Sequence, residues 1–126
     1  MNVPTSPIPI PQLFDDEIYA GAIIAPDGTG HHLTLLPGDS SGTWDESMKW
    51  AQSIGGDLPD RVEQALLYRH LSDRFKKDGY WSSTQHAGDS SYAWYQNFVK
   101  GGVNGNQYDI SKSAELFARA VRRSVI

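Results

Sequence analysis

The spacing of apolar positions changes period along this chain, and each change marks an element. From Tyr19 to Leu36 two apolar runs, YAGAII and HLTLL, flank Pro26-Asp27-Gly28-Thr29-Gly30. Turn-forming residues between two short apolar runs predict a hairpin. Trp44, Met48, Ala51 and Ile54 then recur on one helical face, which Gly55-Gly56 ends. Thr43-Trp44-Asp45-Glu46 is a capping box: the Thr43 hydroxyl can accept from the backbone N–H three residues on while Glu46 reaches back. Asp60 with Glu63, directly after Pro59, repeats that start signal. Val62, Leu66, Leu67 and Leu71 form a second helical stripe, which gives way to the polar, partly basic stretch from Ser72 to Gly79.

Beyond Gly79 the helical period disappears. Tyr80 to Ser83 reads as a strand, and Tyr92 to Val99 sets Tyr92, Trp94, Gln96 and Phe98 against Ala93, Tyr95, Asn97 and Val99. Trp94 and Phe98 are expected in the core, with Tyr95 and Asn97 facing outward. Gly101 to Asn106 is a turn or loop by composition, and Gln107 to Ser111 and Phe117 to Arg123 complete the strands. An order of ββααβ followed by βββ predicts an α+β fold in which the terminal strands pair.

Size and charge narrow the possibilities. At 126 residues with no cysteine, the chain makes one domain held by packing alone, without disulfides, thiolate nucleophiles or Cys-ligated zinc. A net charge of −4 argues against a nucleic-acid or anionic-membrane partner. No apolar stretch is long enough to span a membrane and no signal peptide is evident, so a cytoplasmic location, or a place in a particle assembled in the cytoplasm, is expected. Prolines 4, 7, 9 and 11 favour an extended path, and residues 1–14 read as an arm on a domain of residues 15–126. The arm either lies on the domain as a frayed end or docks on a partner, joining copies or attaching the domain to a larger assembly.

Several patterns invite a chemical reading. Gly38-Asp39-Ser40-Ser41-Gly42 satisfies G-x-S-x-G, but a nucleophile elbow needs the helix to begin at the serine, whereas Pro37 interrupts the strand side and the capping box starts the helix at Thr43. A polar loop is the better reading of Ser40. His31 and His32 are adjacent and point to opposite faces of a strand, without metal-ligand spacing. Asp15-Asp16-Glu17 is an acidic run that reads as a solvated face, with a partner-facing patch as the alternative. Arg61, Arg69, Arg74, Lys76 and Lys77 cluster near the second helix and its exit, a solvated face in preference to a phosphate or partner site. At least one of Arg119, Arg122 and Arg123 should pair with a buried carboxylate. Tyr95 and Asn97, with Asn104, Asn106, Tyr108 and Asp109 in or beside the following loop, have the composition of an adaptable binding surface. With His86 and Asp89 they form the candidate ligand-binding set. No catalytic residue, metal ligand or cofactor is expected.

Three segments in order resemble a known family. TWDESMKWAQSIGGDLPDRVEQALLY resembles the first-helix, Gly-Gly-x-Leu-Pro, second-helix block of the Lcl-type C-terminal domains, a C-type-lectin-like family common in bacterial and prophage proteins. YWSSTQHAGDSSYAWYQNF is similar to its Tyr-Trp-Ser-Ser-Thr and Tyr-Ala-Trp segments, and ARAVRR to its closing Arg-x-Val-Arg strand. The resemblance implies a C-type-lectin-like fold, with two helices packed on short antiparallel sheets, paired terminal strands and a ligand surface built from the C-terminal loops and strands. More distantly the chain resembles phage receptor-binding domains and formylglycine-generating enzymes. No proline follows Pro59, and Trp94-Tyr95-Gln96-Asn97 only partly echoes the calcium lectins' Trp-Asn-Asp strand. Calcium-dependent sugar binding is therefore not expected, although Ca²⁺ needs only oxygen ligands and a weak site stays open. Formylglycine-type oxidation requires cysteines that this chain lacks. The expected function is a non-enzymatic module of phage or prophage origin recognising a protein or cell-surface ligand. The alternative is a small intracellular effector or inhibitor that binds a host or phage protein through its acidic surface.

Overall fold

The computed structural model describes residues 9–99 and 105–126. Its strands are β1 (Ile18–Ile24), β2 (Gly30–Leu35), β3 (Ser40–Gly42), β4 (Gly79–Gln85), β5 (Tyr92–Asn97), β6 (Gln107–Ser111), β7 (Leu116–Ala118) and β8 (Val121–Val125). Its helices are α1 (Trp44–Ser53) and α2 (Arg61–Leu71). One sheet has the order β1-β2-β8, the other β3-β7-β4-β5-β6, and β4–β7 is a parallel pair among antiparallel ones. The fold is α+β, as the sequence predicts.

Local rules set the helices. Thr43 and Asp60 cap α1 and α2, each accepting from the N3 backbone N–H while Glu46 and Glu63 reach back to the cap N–H. The expected stripe of α1 holds at Trp44, Met48 and Ala51, which pack into one core, but Ile54 caps the helix and stays exposed. On α2, Leu67 is buried and Leu66 and Leu71 are partly so, whereas Val62 is 62% exposed.

Two adjacent residues on β4 organise the interior. Side chains alternate across a strand, so Tyr80 and Trp81 point to opposite faces of the larger sheet. Tyr80 joins Leu67, Phe75, Phe98, Leu33, Leu35 and Val121 between that sheet, α2 and the smaller sheet. Trp81 joins Trp44, Ala51, Leu58, Ala93 and Ala118 beneath α1. Each buried indole keeps its donor satisfied: Trp81 Nε1 donates to the Gly42 carbonyl at 3.0 Å and Trp44 Nε1 to that of Ser82 at 2.8 Å. With one helix on each face, the sheet that carries β5 and β6 is held from both sides.

Three expectations need correction. The terminal strands share a sheet but do not pair with each other, because β2 lies between β1 and β8. The apolar run from Phe117 to Arg123 is two strands in two sheets, with the switch at Arg119 and Ala120. Arg119 donates to the Arg74 and Leu36 carbonyls there, and Leu36 N–H donates to Ala120. Ser40, expected in a loop, lies on the short strand β3 paired with β7. No helix among the described residues is long and apolar enough to cross a membrane.

Candidate functional site

The first turn of α2 sends two charges in different directions. Glu63 is fully buried, and its carboxylate accepts from Arg123 Nε and Nη2, each at 2.7 Å, from Asp60 N–H at 2.8 Å and from His31 Nε2 at 2.8 Å. Burial alone would raise its pKa; the Arg123 hydrogen bonds, the Asp60 N–H and His31 outweigh it and hold the carboxyl below its ordinary value. Arg123 is thus the terminal arginine expected to pair with a buried carboxylate. His31 goes to this network and His32 to the Tyr19 hydroxyl, so the adjacent histidines do not share a site.

Arg61 is held differently. Its Nε donates to Gln107 Oε1 at 2.8 Å, and Gln107 Nε2 donates back to the Arg61 carbonyl at 2.7 Å and to Gln96 Oε1 at 3.1 Å. The guanidinium lies 3.7 Å above the centre of the Trp94 ring, a cation–π contact that fixes its plane. Its two terminal amino groups have no hydrogen-bond partner among the described residues. Trp94 in turn stacks on His86, with centroids 5.8 Å apart and planes 20° from parallel. Gly88 N–H donates to His86 Nδ1 at 3.0 Å, which puts the imidazole proton on Nε2, the atom 3.7 Å from Asp109 Oδ2. Arg61, Trp94, His86 and Asp109 therefore form a row along one face of β5 and β6, two stacked rings between a cation and a carboxylate.

A groove of about 480 Å³ runs beside this row, walled by Arg61, Val62 and Ala65 from α2 and by Gln96, Gly105 and Gln107 from the sheet. Its size is that of a small-ligand or single-segment site. Gly105 has φ of 86°, and a Cβ there would lie 2.6 Å from the Tyr68 ring, so glycine is required where β6 begins against the helix. A second cleft, about 400 Å³, lies between Leu36 to Asp39 and Trp50 to Ile54, with Glu17 on its rim. Glu17 is neutralised by Arg122 at 2.6 Å, which leaves Asp15 and Asp16 as the unpaired part of the acidic run among the described residues.

The candidate residues named from sequence fall on two sides of the β5–β6 ribbon. His86 and Asp109 share the row just described. Tyr95 and Tyr108 are cross-strand partners on the opposite face, with rings 5.9 Å apart, and Asn106 Nδ2 donates to the Tyr108 hydroxyl at 2.9 Å. Asn97 starts the turn at that end of the ribbon, its side-chain oxygen accepting from Val99 N–H at 3.0 Å. Asp89 shapes the β4–β5 connection by accepting from Ser91 N–H and hydroxyl, bonds that lower its carboxyl pKa. Asn104 lies outside the described residues, as do residues 1–8 of the arm.

The expected inside and outside of β5 exchange at two positions. Tyr95, expected outward, packs half-buried on the α1-side core, where burial, with smaller contributions from Tyr108, Asp109 and Asp78, pushes its phenol pKa up. Trp94, expected in the core, belongs to neither core cluster and carries Arg61 instead. Phe98 is core, and between them Gln96 is 1% exposed. Both faces of the ribbon are thus partly covered, and the free chemistry gathers where α2 ends its cover. The sequence pattern places Arg61 in a solvated basic cluster and Gln107 on a strand; the contacts of Arg61 with Trp94 and with Gln107, which no local pattern encodes, bring both beside the row.

The row and the groove lie on an α+β domain of two sheets with a helix on each face of the larger one. No protein-family model and no curated protein matches the chain. Among the described residues no three His, Asp or Glu side chains gather as a metal-holding group.

Proposed function

We propose that the protein is a non-enzymatic recognition module of the C-type-lectin-like class, resembling the Lcl-type C-terminal domains of bacterial and prophage proteins. It binds a cell-surface or protein ligand through β5, β6 and the groove beside α2. The observation that carries the reading is the Arg61, Trp94, His86 and Asp109 row: rigid planar groups stacked at the surface, with charged atoms left unspent beside a groove of ligand size. Such an array loses little side-chain freedom on binding, because the Gln107 amide and the stacked rings already hold Arg61 in place. Two helices clamping the sheet, α+β connectivity and the Tyr-Trp-Ser-Ser-Thr and Tyr-Ala-Trp segments support the class assignment.

The test is capture from bacterial lysate separated into envelope and cytosol, with the Trp94→Ala/Tyr108→Ala variant beside the unaltered protein. An envelope component retained by the protein and lost by the folded variant is the expected result. Capture indifferent to both substitutions removes the ribbon from the account. Capture of a cytosolic protein that instead depends on Asp15 and Asp16 would favour the effector alternative.

A further inference from the structure

Among the described residues β6 is the outermost strand of its sheet, with β5 on one side and no strand on the other. Asn97 N–H donates to the Asn106 carbonyl at 3.0 Å, and the register continues as Tyr95 with Tyr108 and Ala93 with Ile110. In an antiparallel ladder the residues between such pairs turn their N–H and C=O away from the partner. The backbone groups of Gln107 and Asp109 therefore face the open edge, and neither forms a backbone bond to another element among the described residues. An edge of this kind is a template for strand addition.

The surroundings of the edge are chemically uneven. On the α2 side, Gln107 brings the Arg61 amino groups, which have no hydrogen-bond partner among the described residues, and the 62% exposed Val62. Two residues along, on the same side, stands Asp109, 40% exposed. On the other side, between them, stands Tyr108, 43% exposed. An added strand places successive same-side residues about 6.6 Å apart, matching the spacing of Gln107 and Asp109.

We propose that this edge receives an extended segment of a partner protein by antiparallel strand addition, reading the pattern basic, apolar, acidic. The basic side chain lies opposite Asp109, the apolar one against Tyr108, and the acidic one opposite Gln107, where the Arg61 guanidinium binds its carboxylate in a fork. This deepens the binding reading above and rests on it: it names a protein segment as the ligand. A second copy of this chain, paired antiparallel about Tyr108, supplies only the acidic position: its Asp109 falls opposite Gln107, while the residue opposite Asp109 is the neutral Gln107 rather than a basic side chain.

The probe is the blocked peptide Thr-Val-Lys-Val-Glu-Val-Thr carrying a fluorophore. It should bind saturably, slow hydrogen exchange at the Gln107 and Asp109 amides, and bind about tenfold better than the order Glu-Val-Lys, since reversal sets Glu against Asp109 across the strands and Lys against the Arg61 guanidinium. The Arg61→Glu/Asp109→Lys variant should invert that preference, and Asp109→Lys alone, at an exposed edge, should weaken binding without loss of fold. The peptide N-methylated at its Lys and Glu nitrogens should not bind. Equal affinity for the two charge orders, binding of the N-methylated peptide, absence of binding, or protection at β3 or β8 instead would each overturn the proposal. So would a dimer of the free protein, seen by sedimentation, that Asp109→Lys dissociates, because a second copy would then hold the edge. Ribbon-dependent envelope capture without peptide binding would leave the binding reading standing and remove only the strand addition.

Discussion

Glu63 and Arg61 stand two residues apart on the first turn of α2 and have opposite fates. Glu63 spends its accepting capacity inside the protein, on Arg123, Asp60 and His31, and is fully buried. Arg61 spends one nitrogen, on Gln107, and lays its plane on Trp94 at the surface. Both groups are held rigidly, so rigidity does not separate them. What separates them is unspent hydrogen-bonding capacity: a fully satisfied buried charge holds the fold together, while a fixed and unsatisfied one at a groove is available to a ligand.

The sharpest way to break this contrast is at Glu63. Glu63→Ala leaves Arg123 facing a buried gap and removes the reciprocal half of the α2 cap, so unfolding in urea should show a loss of roughly 3 kcal/mol. An unchanged midpoint would make the network ornamental. The same carboxylate predicts an acid response. Its folded pKa lies below the ordinary 4.5, so its contribution is complete above that value and is lost as pH falls through the lower, folded one. Thermal midpoints measured downward from pH 5 should fall for the unaltered protein and fall less for Glu63→Gln, whose baseline stability is already reduced.

On the other side of the contrast the stability effects are smaller and the binding effects larger. Arg61→Ala removes a cation–π contact and an amide pair, which should cost about 1 kcal/mol in urea unfolding while shifting Trp94 fluorescence and abolishing capture of the ligand. A stability loss as great as that of Glu63→Ala would place Arg61 among the structural charges. Smallest of all is Asp109→Asn: at 3.7 Å from a half-exposed His86 it should change stability by less than about 0.5 kcal/mol. Its effect should appear in binding alone.

How much of this was legible beforehand follows from where each signal resides. The capping boxes at Thr43 and Asp60 are rules of four consecutive residues, so both helix starts could be read directly. The pairing of Arg123 with a buried carboxylate followed from burying an arginine, but the partner, Glu63, lies 60 residues away and was known only from the fold. The faces of β5 could not be read because helices cover both sides of its sheet. Trp94 and Tyr95 are equally apolar, and alternation alone does not say which one outlasts its cover. Ala120 and Val121 fit a strand in either sheet, so the switch at Arg119 carries no local mark either. Most of the candidate ligand residues lie on or beside the β5–β6 ribbon, and Arg61 and Gln107, which the fold brings next to them, carry no local signal because their contact spans 46 residues.

The most direct measurement is hydrogen–deuterium exchange of the protein with and without the captured envelope component. The account predicts slowed exchange in residues 107–111 and at the first turn of α2, with the Glu63 network unchanged. Protection confined to the cleft between Leu36 to Asp39 and Trp50 to Ile54, with β6 exchanging as freely as before, would contradict it.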